Sequence, residues 1–439
     1  MDEFWVLKIV NLFIASLFLV GAWCSRKGVG VWLNPMSILF LFWFFYTAFP
    51  LLLAFEVPVS PLVIVYILLF CTIFSISGLV FPWSIALALN ERKQNSAFYF
   101  DRPLFVLMFY LVAASSGIFV FIGVLQQGIP IDQLIENPIA FGGAYANKRY
   151  AGEIVSNVFS QLGLQCGYYT AVLGGLVYGS RVKRRGRTMV LLLSFAPALL
   201  VMFLQSAKGL FFFSIFLFLG AILVTRIYNK NYTLLDAKGL RSLFACGLLA
   251  LPVVVASFLS RGIYQLGDMT LILDRLRYYL VGYSSVHLPA FSDWFSERYL
   301  GESLMSYKQE EFTAGFYTFM SFFQLAGDDR EVPMGTYDEF YMYGDQIKGN
   351  LFTVFRGLIT DFGLVGSLLF AFVLGLVCNF GYWRLLSRKE SAFAVTFFIF
   401  FVAIGYQTYL ISSLTWLTLP FVFLIQWLML LCMMKFKVR

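Results

Sequence analysis

The sequence predicts an all-α polytopic membrane protein of about eleven transmembrane helices with one large polar loop. Three observations carry that prediction. The 439 residues are 60% hydrophobic and only 13% charged, with a mean hydropathy of +0.79, which excludes an ordinary soluble domain. Apolar runs of the ~20 residues that a bilayer-crossing helix needs recur along the chain. Asp, Glu, Arg and Tyr are concentrated instead between residues 261 and 356.

In chain order, the runs 4–24, 31–55, 62–87, 104–125, 157–178, 188–205, 210–227 and 242–260 precede the polar segment, and 357–383, 391–410 and 414–434 follow it. Orientation follows from the basic residues, which are retained on the cytoplasmic side. The loops at 26–27, 91–102, 181–187, 226–241 and 384–390, with the C-terminal tail, hold 20 of the 32 Lys and Arg, opposed only by Glu91, Asp101, Asp236 and Glu390. The segments 126–156 and 261–356 therefore lie outside, periplasmic in a cell with two membranes. Met1-Asp2-Glu3 lacks the positive start of a signal peptide, so the first run reads as a retained anchor. The basic cluster Arg181 to Arg187 sits between two spans and faces anionic lipid, which leaves no role for nucleic acid.

The six cysteines fall within spans or at their ends and none lies in the long loop, so no disulfide framework holds it. His287 is the only histidine, which rules out an ordinary zinc site. No cofactor is called for. A hard ion such as magnesium stays open, with Asp328-Asp329 as the obvious pair and a solvated turn as its plain alternative. The chain forms a single membrane domain with no internal repeat. Its spans are nearly free of ionisable groups after Lys8, which argues against a transporter built on repeated halves with midplane polar sites.

Three outer stretches hold the candidate chemistry. The loop 126–156 ends in Asn147-Lys148-Arg149-Tyr150, a basic pair that breaks the positive-inside bias and serves either as a lipid anchor or as a ligand contact. The turn Gln205-Ser206-Ala207-Lys208-Gly209 projects one cation that meets either lipid phosphate or a bound diphosphate. In the long loop, Arg261 stands at the entry. Residues 271–280 read as a short amphipathic helix with Leu273, Leu276 and Leu280 on one side and Asp274, Arg277 and Tyr278 on another. Residues 310–323 read as an aromatic helix lying in the interface or against a sugar chain. At the exit, Arg356 and Asp361 stand at or just below the membrane surface, where an ionisable group is costly unless it has a task. They lie about 140° apart on a regular helix, too far around to pair directly.

Gly349-Asn350-Leu351-Phe352-Thr353-Val354-Phe355-Arg356 with Thr360-Asp361-Phe362-Gly363, the upstream Arg275-Leu276-Arg277-Tyr278-Tyr279 with Gly282 and Pro289-Ala290-Phe291, and the Ser206-Ala207-Lys208-Gly209 turn together resemble the Wzy-type oligosaccharide repeat-unit polymerases of O-antigen and capsule biosynthesis. The resemblance covers roughly residues 200–385, and the exit sequence is its most specific part. It implies a bacterial inner-membrane glycosyltransferase similar to the GT-C class. Such an enzyme moves a growing glycan from undecaprenyl diphosphate onto a new lipid-linked repeat unit, with a chain-length regulator and a flippase as further partners. Members often carry arginine where this chain has Lys208, so a bidentate contact is lost while the charge remains.

That reaction needs cations at the diphosphate leaving group and a base at the acceptor hydroxyl. Lys208, Arg261, Arg275, Arg277 and Arg356 are the candidates for the first task, and Tyr278, Lys148 and Arg149 are further substrate-binding candidates. His287, Asp268 and Asp361 are the choices for the base, with His287 having the right ordinary pKa. A ligase that transfers finished chains shares the same donor chemistry. A flippase or exporter is the alternative of a different class.

Overall fold

The computed structural model describes residues 3–92, 100–128, 131–136, 138–155, 157–180, 186–234, 251–252, 254–256, 258–259, 268–308, 312–330, 337–387 and 391–435. The protein is an all-α polytopic membrane protein. Among the described residues, seven helices are long and apolar enough to cross a bilayer: Phe4–Val29, Pro35–Leu53, Pro61–Val80, Pro103–Leu125, Arg187–Gln205, Gly209–Tyr228 and Thr353–Ser387. The last two predicted spans are the shorter apolar helices Ala392–Gln407 and Thr418–Met434. The run 157–178 is the helix Val158–Ser180. The run 242–260 lies largely outside the described residues, as do Arg261, Cys246 and most of the 181–187 cluster. Among the described residues, one two-stranded antiparallel hairpin, Tyr341–Tyr343 with Ile347–Gly349, interrupts the helices.

The chain folds as two compact units. The first comprises Met1–Leu87, Arg277–Arg384 and Ile404–Pro420. Its helix Pro35–Leu53 starts where Asn34 accepts the Ser37 N–H at 2.8 Å, and proline occupies the first turn both there and in Pro61–Ile76. These are ordinary start signals, a capping acceptor and a residue with no N–H to waste. The run predicted as one span over 62–87 is instead interrupted: it tightens into a 3-10 turn at Ser77–Val80 and restarts as Trp83–Glu91. Pro82 is the cause, because it pushes Phe81 into the extended region (φ −98°, ψ 134°) and cannot donate to a continuing helix.

The polar segment of this unit contributes His287–Leu300, which buries Leu288, Phe291 and Trp294. Phe355 is the hub of that packing, with its ring 4.8 Å from Trp43, 4.9 Å from Phe70 and 5.9 Å from Phe291. Carboxylates do the fastening that disulfides do in small secreted domains. Asp293 accepts the Leu304 N–H at 2.8 Å, the Met305 N–H at 3.1 Å and the Tyr307 hydroxyl at 2.9 Å, and Glu297 accepts the Tyr307 N–H at 3.1 Å. Thr353–Ser387 is broken at Gly363 (φ 69°, ψ 177°), a conformation open essentially to glycine alone. The break separates a short head carrying Arg356 and Asp361 from a long apolar shaft.

The second unit comprises Ala88–Leu276, Leu385–Ala403 and Phe421–Arg439. Val158–Ser180 runs through it with a glycine face that lets neighbouring backbones approach. A Cβ on Gly163 would meet the Val120 backbone nitrogen at 2.8 Å, and one on Gly175 would meet the Phe218 carbonyl at 2.6 Å. The segment expected to be a Gly-containing loop at 126–156 forms two helices, Ile131–Glu136 and Pro138–Tyr150.

Candidate functional site

The head of Thr353–Ser387 carries two fully buried charged residues, Arg356 and Asp361. Arg356 is fully buried, and its Nη2 lies 3.2 Å from both carboxylate oxygens of Glu339. Aromatic rings enclose the guanidinium, with its carbon 3.9 Å from the Tyr337 ring centre, 4.4 Å from Phe352 and 5.5 Å from Trp294. A guanidinium stays protonated when it is removed from water, and its desolvation cost is offset here by a carboxylate partner and π-faces together. Glu339 also accepts the Lys308 N–H at 3.2 Å, which ties the loop at 308 to the same pair. The neighbouring Lys308–Asp338 pair is exposed on both sides and contributes little.

Asp361, also fully buried, caps a different helix. Phe316–Leu325 begins at Gly315, which has no side chain to satisfy the first N–H groups. One Asp361 oxygen accepts the Tyr317 N–H at 3.0 Å and the Thr313 hydroxyl at 2.5 Å. The other accepts the Thr318 N–H and the Thr318 hydroxyl, each at 2.6 Å. The carboxylate thus acts as an N-cap supplied from 43–44 residues away and sits at the positive end of the helix dipole. All four contacts are donors to it, so an acceptor hydroxyl would have to displace one before Asp361 took its proton. Arg356 and Asp361 have separate partners, as their angle around the helix requires.

His287 is fully buried, with Nε2 2.9 Å from the Tyr46 carbonyl oxygen and its ring edge-on to Tyr409 at 5.0 Å. A carbonyl only accepts, so Nε2 carries the proton and donates. Burial pushes the His287 pKa down to about 4, against a smaller upward pull from that hydrogen bond, so the ring is neutral at pH 7. Arg277 and Tyr278 lie on the helix Met269–Ser285, longer than the expected 271–280, with Arg277 exposed and Tyr278 half-buried. Of its expected apolar side, Leu273 is 58% exposed and Leu280 37% exposed. The aromatic helix expected over 310–323 is Phe316–Leu325.

In the second unit, Lys148 and Arg149 form the last turn of Pro138–Tyr150, a favourable place for cations. The Ser206 hydroxyl donates to the Gly142 carbonyl at 3.0 Å, which brings that helix against the Lys208 turn. Lys208 Nζ lies 3.2 Å from the Phe258 ring centre. Asp268 caps Met269–Ser285, accepting the Thr270 N–H at 2.8 Å and hydroxyl at 2.7 Å, and these bonds hold its carboxyl below the usual range. Arg275 is exposed on the same helix.

No family model, no curated protein and no solved structure matches this chain.

Sequence reasoning missed Glu339, the partner of Arg356, and the capping set Thr313, Tyr317 and Thr318. It also missed Arg330, whose guanidinium lies 3.7 Å from the Phe316 ring centre while Nε bonds both Asp328 oxygens at 2.9 and 3.0 Å. That pairing holds the Asp328 carboxyl below its usual range. Asp328 is therefore engaged by a guanidinium within its own turn.

Proposed function

We propose that this protein is a lipid-linked oligosaccharide glycosyltransferase, a Wzy-type polymerase of the bacterial inner membrane. In this reading it extends an O-antigen, capsule or related polysaccharide at the periplasmic face. The observation that carries the reading is the buried Arg356–Glu339 pair, caged in aromatic rings at the head of a membrane helix beside the capped aromatic helix Phe316–Leu325. Charge is concentrated in the polar segment 261–356 and in the loops between spans, and a lipid-linked diphosphate and its sugars would meet it at the membrane surface. Charge is sparse inside the spans, where a transporter keeps it.

In this reading the growing glycan leaves undecaprenyl diphosphate as the C1–O bond breaks, and a hydroxyl of the incoming lipid-linked unit attacks C1. Cations take up charge on the departing diphosphate. In the first unit the exposed Arg277 is the accessible candidate for that task; Lys208, Arg261 and Arg275 are the further candidates that the sequence offers. Arg356 acts once Glu339 has given way to a phosphate oxygen. Of the three candidate bases, His287 and Asp361 are buried with partners and Asp268 is exposed.

The test is deletion of the gene in its native host, with surface polysaccharide resolved by gel. Collapse of the ladder to a single repeat unit on its anchor supports the polymerase. Loss of surface sugar with full-length lipid-linked chains accumulating makes the protein a ligase, and an unchanged ladder in a strain with no second polymerase removes the reading.

A further inference from the structure

The helix Met269–Ser285 turns its apolar side away from the protein. At about 100° per residue, Met269, Leu273, Leu280 and Tyr283 all fall within about 60° of Leu276, and all four are exposed. The far side of the helix is the one that packs, with Gly282 and Ser285 buried and Tyr278 half-buried. A Cβ on Gly282 would lie 3.3 Å from the Lys348 carbonyl oxygen, and one on Gly349 would lie 2.8 Å from the Val286 side chain. The end of the helix is therefore seated on the strand Ile347–Gly349 by its small, polar face. A helix bathed in water does the reverse.

What covers the stripe follows from the level at which the helix ends. His287, just beyond Ser285, donates to the Tyr46 carbonyl, and Tyr46 lies seven residues short of the end of the span Pro35–Leu53, about 10 Å below it along the axis. Phe45 and Phe49, beside Tyr46 on that span, are 48% and 51% exposed and so face lipid. The last turn of Met269–Ser285 is thus held at bilayer depth. The charges agree. Arg275 and Arg277 adjoin Leu276, which puts them about 100° to either side of the stripe's centre, while Asp274 stands about 160° from it. Cations at both rims reach phosphate as the stripe enters the acyl boundary, and the carboxylate is turned away. A second copy paired along the stripe would instead bring arginine rims together, with the helix's one acid on the far side.

We infer that Met269–Ser285 is an interfacial helix, lying on the outer surface of the bilayer with its stripe in the headgroup–acyl boundary and Arg277 at the phosphates of ordinary phospholipid. Tyr279 and Tyr283 suit that level, where tyrosine gathers. The inference is independent of the glycosyltransferase reading, because it calls for no lipid-linked sugar. It ties the polar segment down to the membrane surface.

The experiment is photo-crosslinking of the full chain in nanodiscs of phosphatidylcholine and phosphatidylglycerol. The probe p-benzoylphenylalanine takes the place of Leu273, Leu280 or Asp274, one at a time, and of Phe49 as the lipid-facing reference; intact mass after irradiation reads what each position touches. Leu273 and Leu280 should gain the mass of one phospholipid with a yield close to that of Phe49, and Asp274 should lose most of that adduct. Leu273 is decisive because it stands about 18 Å from Ser285 along the axis. A helix that rises into water keeps the adduct at Leu280 and loses it at Leu273, which overturns the inference. A covalent dimer in place of the lipid adduct overturns it in favour of a second copy, and equal adducts at Leu273 and Asp274 overturn the orientation of the stripe. Arg277→Gln should lower the phosphatidylglycerol share of the Leu280 adduct by about fivefold, and an unchanged share removes the phosphate contact. A melting curve for each variant guards against misfolding. Failure here leaves the polymerase standing, and an unchanged surface ladder leaves the helix on its lipid.

Discussion

Replacing Asp361 with alanine removes the acceptor for two backbone N–H groups, of Tyr317 and Thr318, and two hydroxyls, of Thr313 and Thr318. The hydroxyls can turn to other acceptors, but the two N–H groups are fixed by the helix they begin. A buried N–H left unsatisfied costs about 1–3 kcal/mol, so the pair puts the loss at about 3–5 kcal/mol once the charge-assisted character of the lost bonds is included. Asparagine separates this account from a catalytic one. Each carboxylate oxygen receives one of the two N–H groups, so an amide that keeps only one oxygen loses one of them and should cost roughly half as much. The assay is equilibrium unfolding by SDS titration in mixed micelles, paired with hydrogen exchange of peptides covering 313–325. Exchange there should rise roughly a hundredfold in Asp361→Ala, as about 3 kcal/mol of lost local stability requires. Unfolding of the alanine variant within about 1 kcal/mol of the parent, well below the loss worked out above, with unchanged exchange in that segment, would refute the cap. Activity lost equally in both variants with stability intact would make Asp361 the base instead.

Removing the partner of a buried arginine leaves an uncompensated charge, so Glu339→Ala should destabilise the protein by about 3–5 kcal/mol in the same titration, more than Asp338→Ala at the exposed neighbouring pair. His287 gives a pH signature. Its folded pKa of about 4 lies below the ordinary 6.5, so only the unfolded chain binds the proton between those values. Stability is therefore complete above pH 6.5 and falls on acidification toward 4, by up to about 1.4 kcal/mol per pH unit. His287→Gln should flatten that slope between pH 6.5 and 5 in paired melting curves. Gly363→Ala forces a side chain into a glycine-only conformation and should cost about 1–3 kcal/mol by SDS titration.

The membrane class was legible because hydropathy alone decides it, and Arg356 and Asp361 stood out because charge at a membrane surface is costly. Their partners were not legible: Glu339 is 17 residues from Arg356, and Thr313 is 48 from Asp361, in a segment with many acids and hydroxyls to choose from. The break at Gly363 was hidden because the apolar run continues through it. The helix Pro138–Tyr150 was missed although it carries proline at its start and cations at its end, because Gly142-Gly143 reads as a loop. Gly142 is there for packing, with a Cβ at that position lying 2.6 Å from the Phe203 carbonyl. The Lys208 turn was read as projecting outward, whereas Nζ lies over an aromatic ring, a contact that spacing along the chain does not reveal.

The break at Gly363 also bears on how the protein meets bilayers of different thickness. A long apolar helix answers a thinner or thicker membrane by changing its tilt, and an unbroken helix would transmit that rotation to everything fixed on its upper turns. Here the hydrogen-bond ladder is interrupted at Gly363, about two turns past Arg356. The shaft can lean while the ten residues above it keep their place among Glu339, Thr313 and Thr318, so the break works as a universal joint that insulates the charged knot from the lipid.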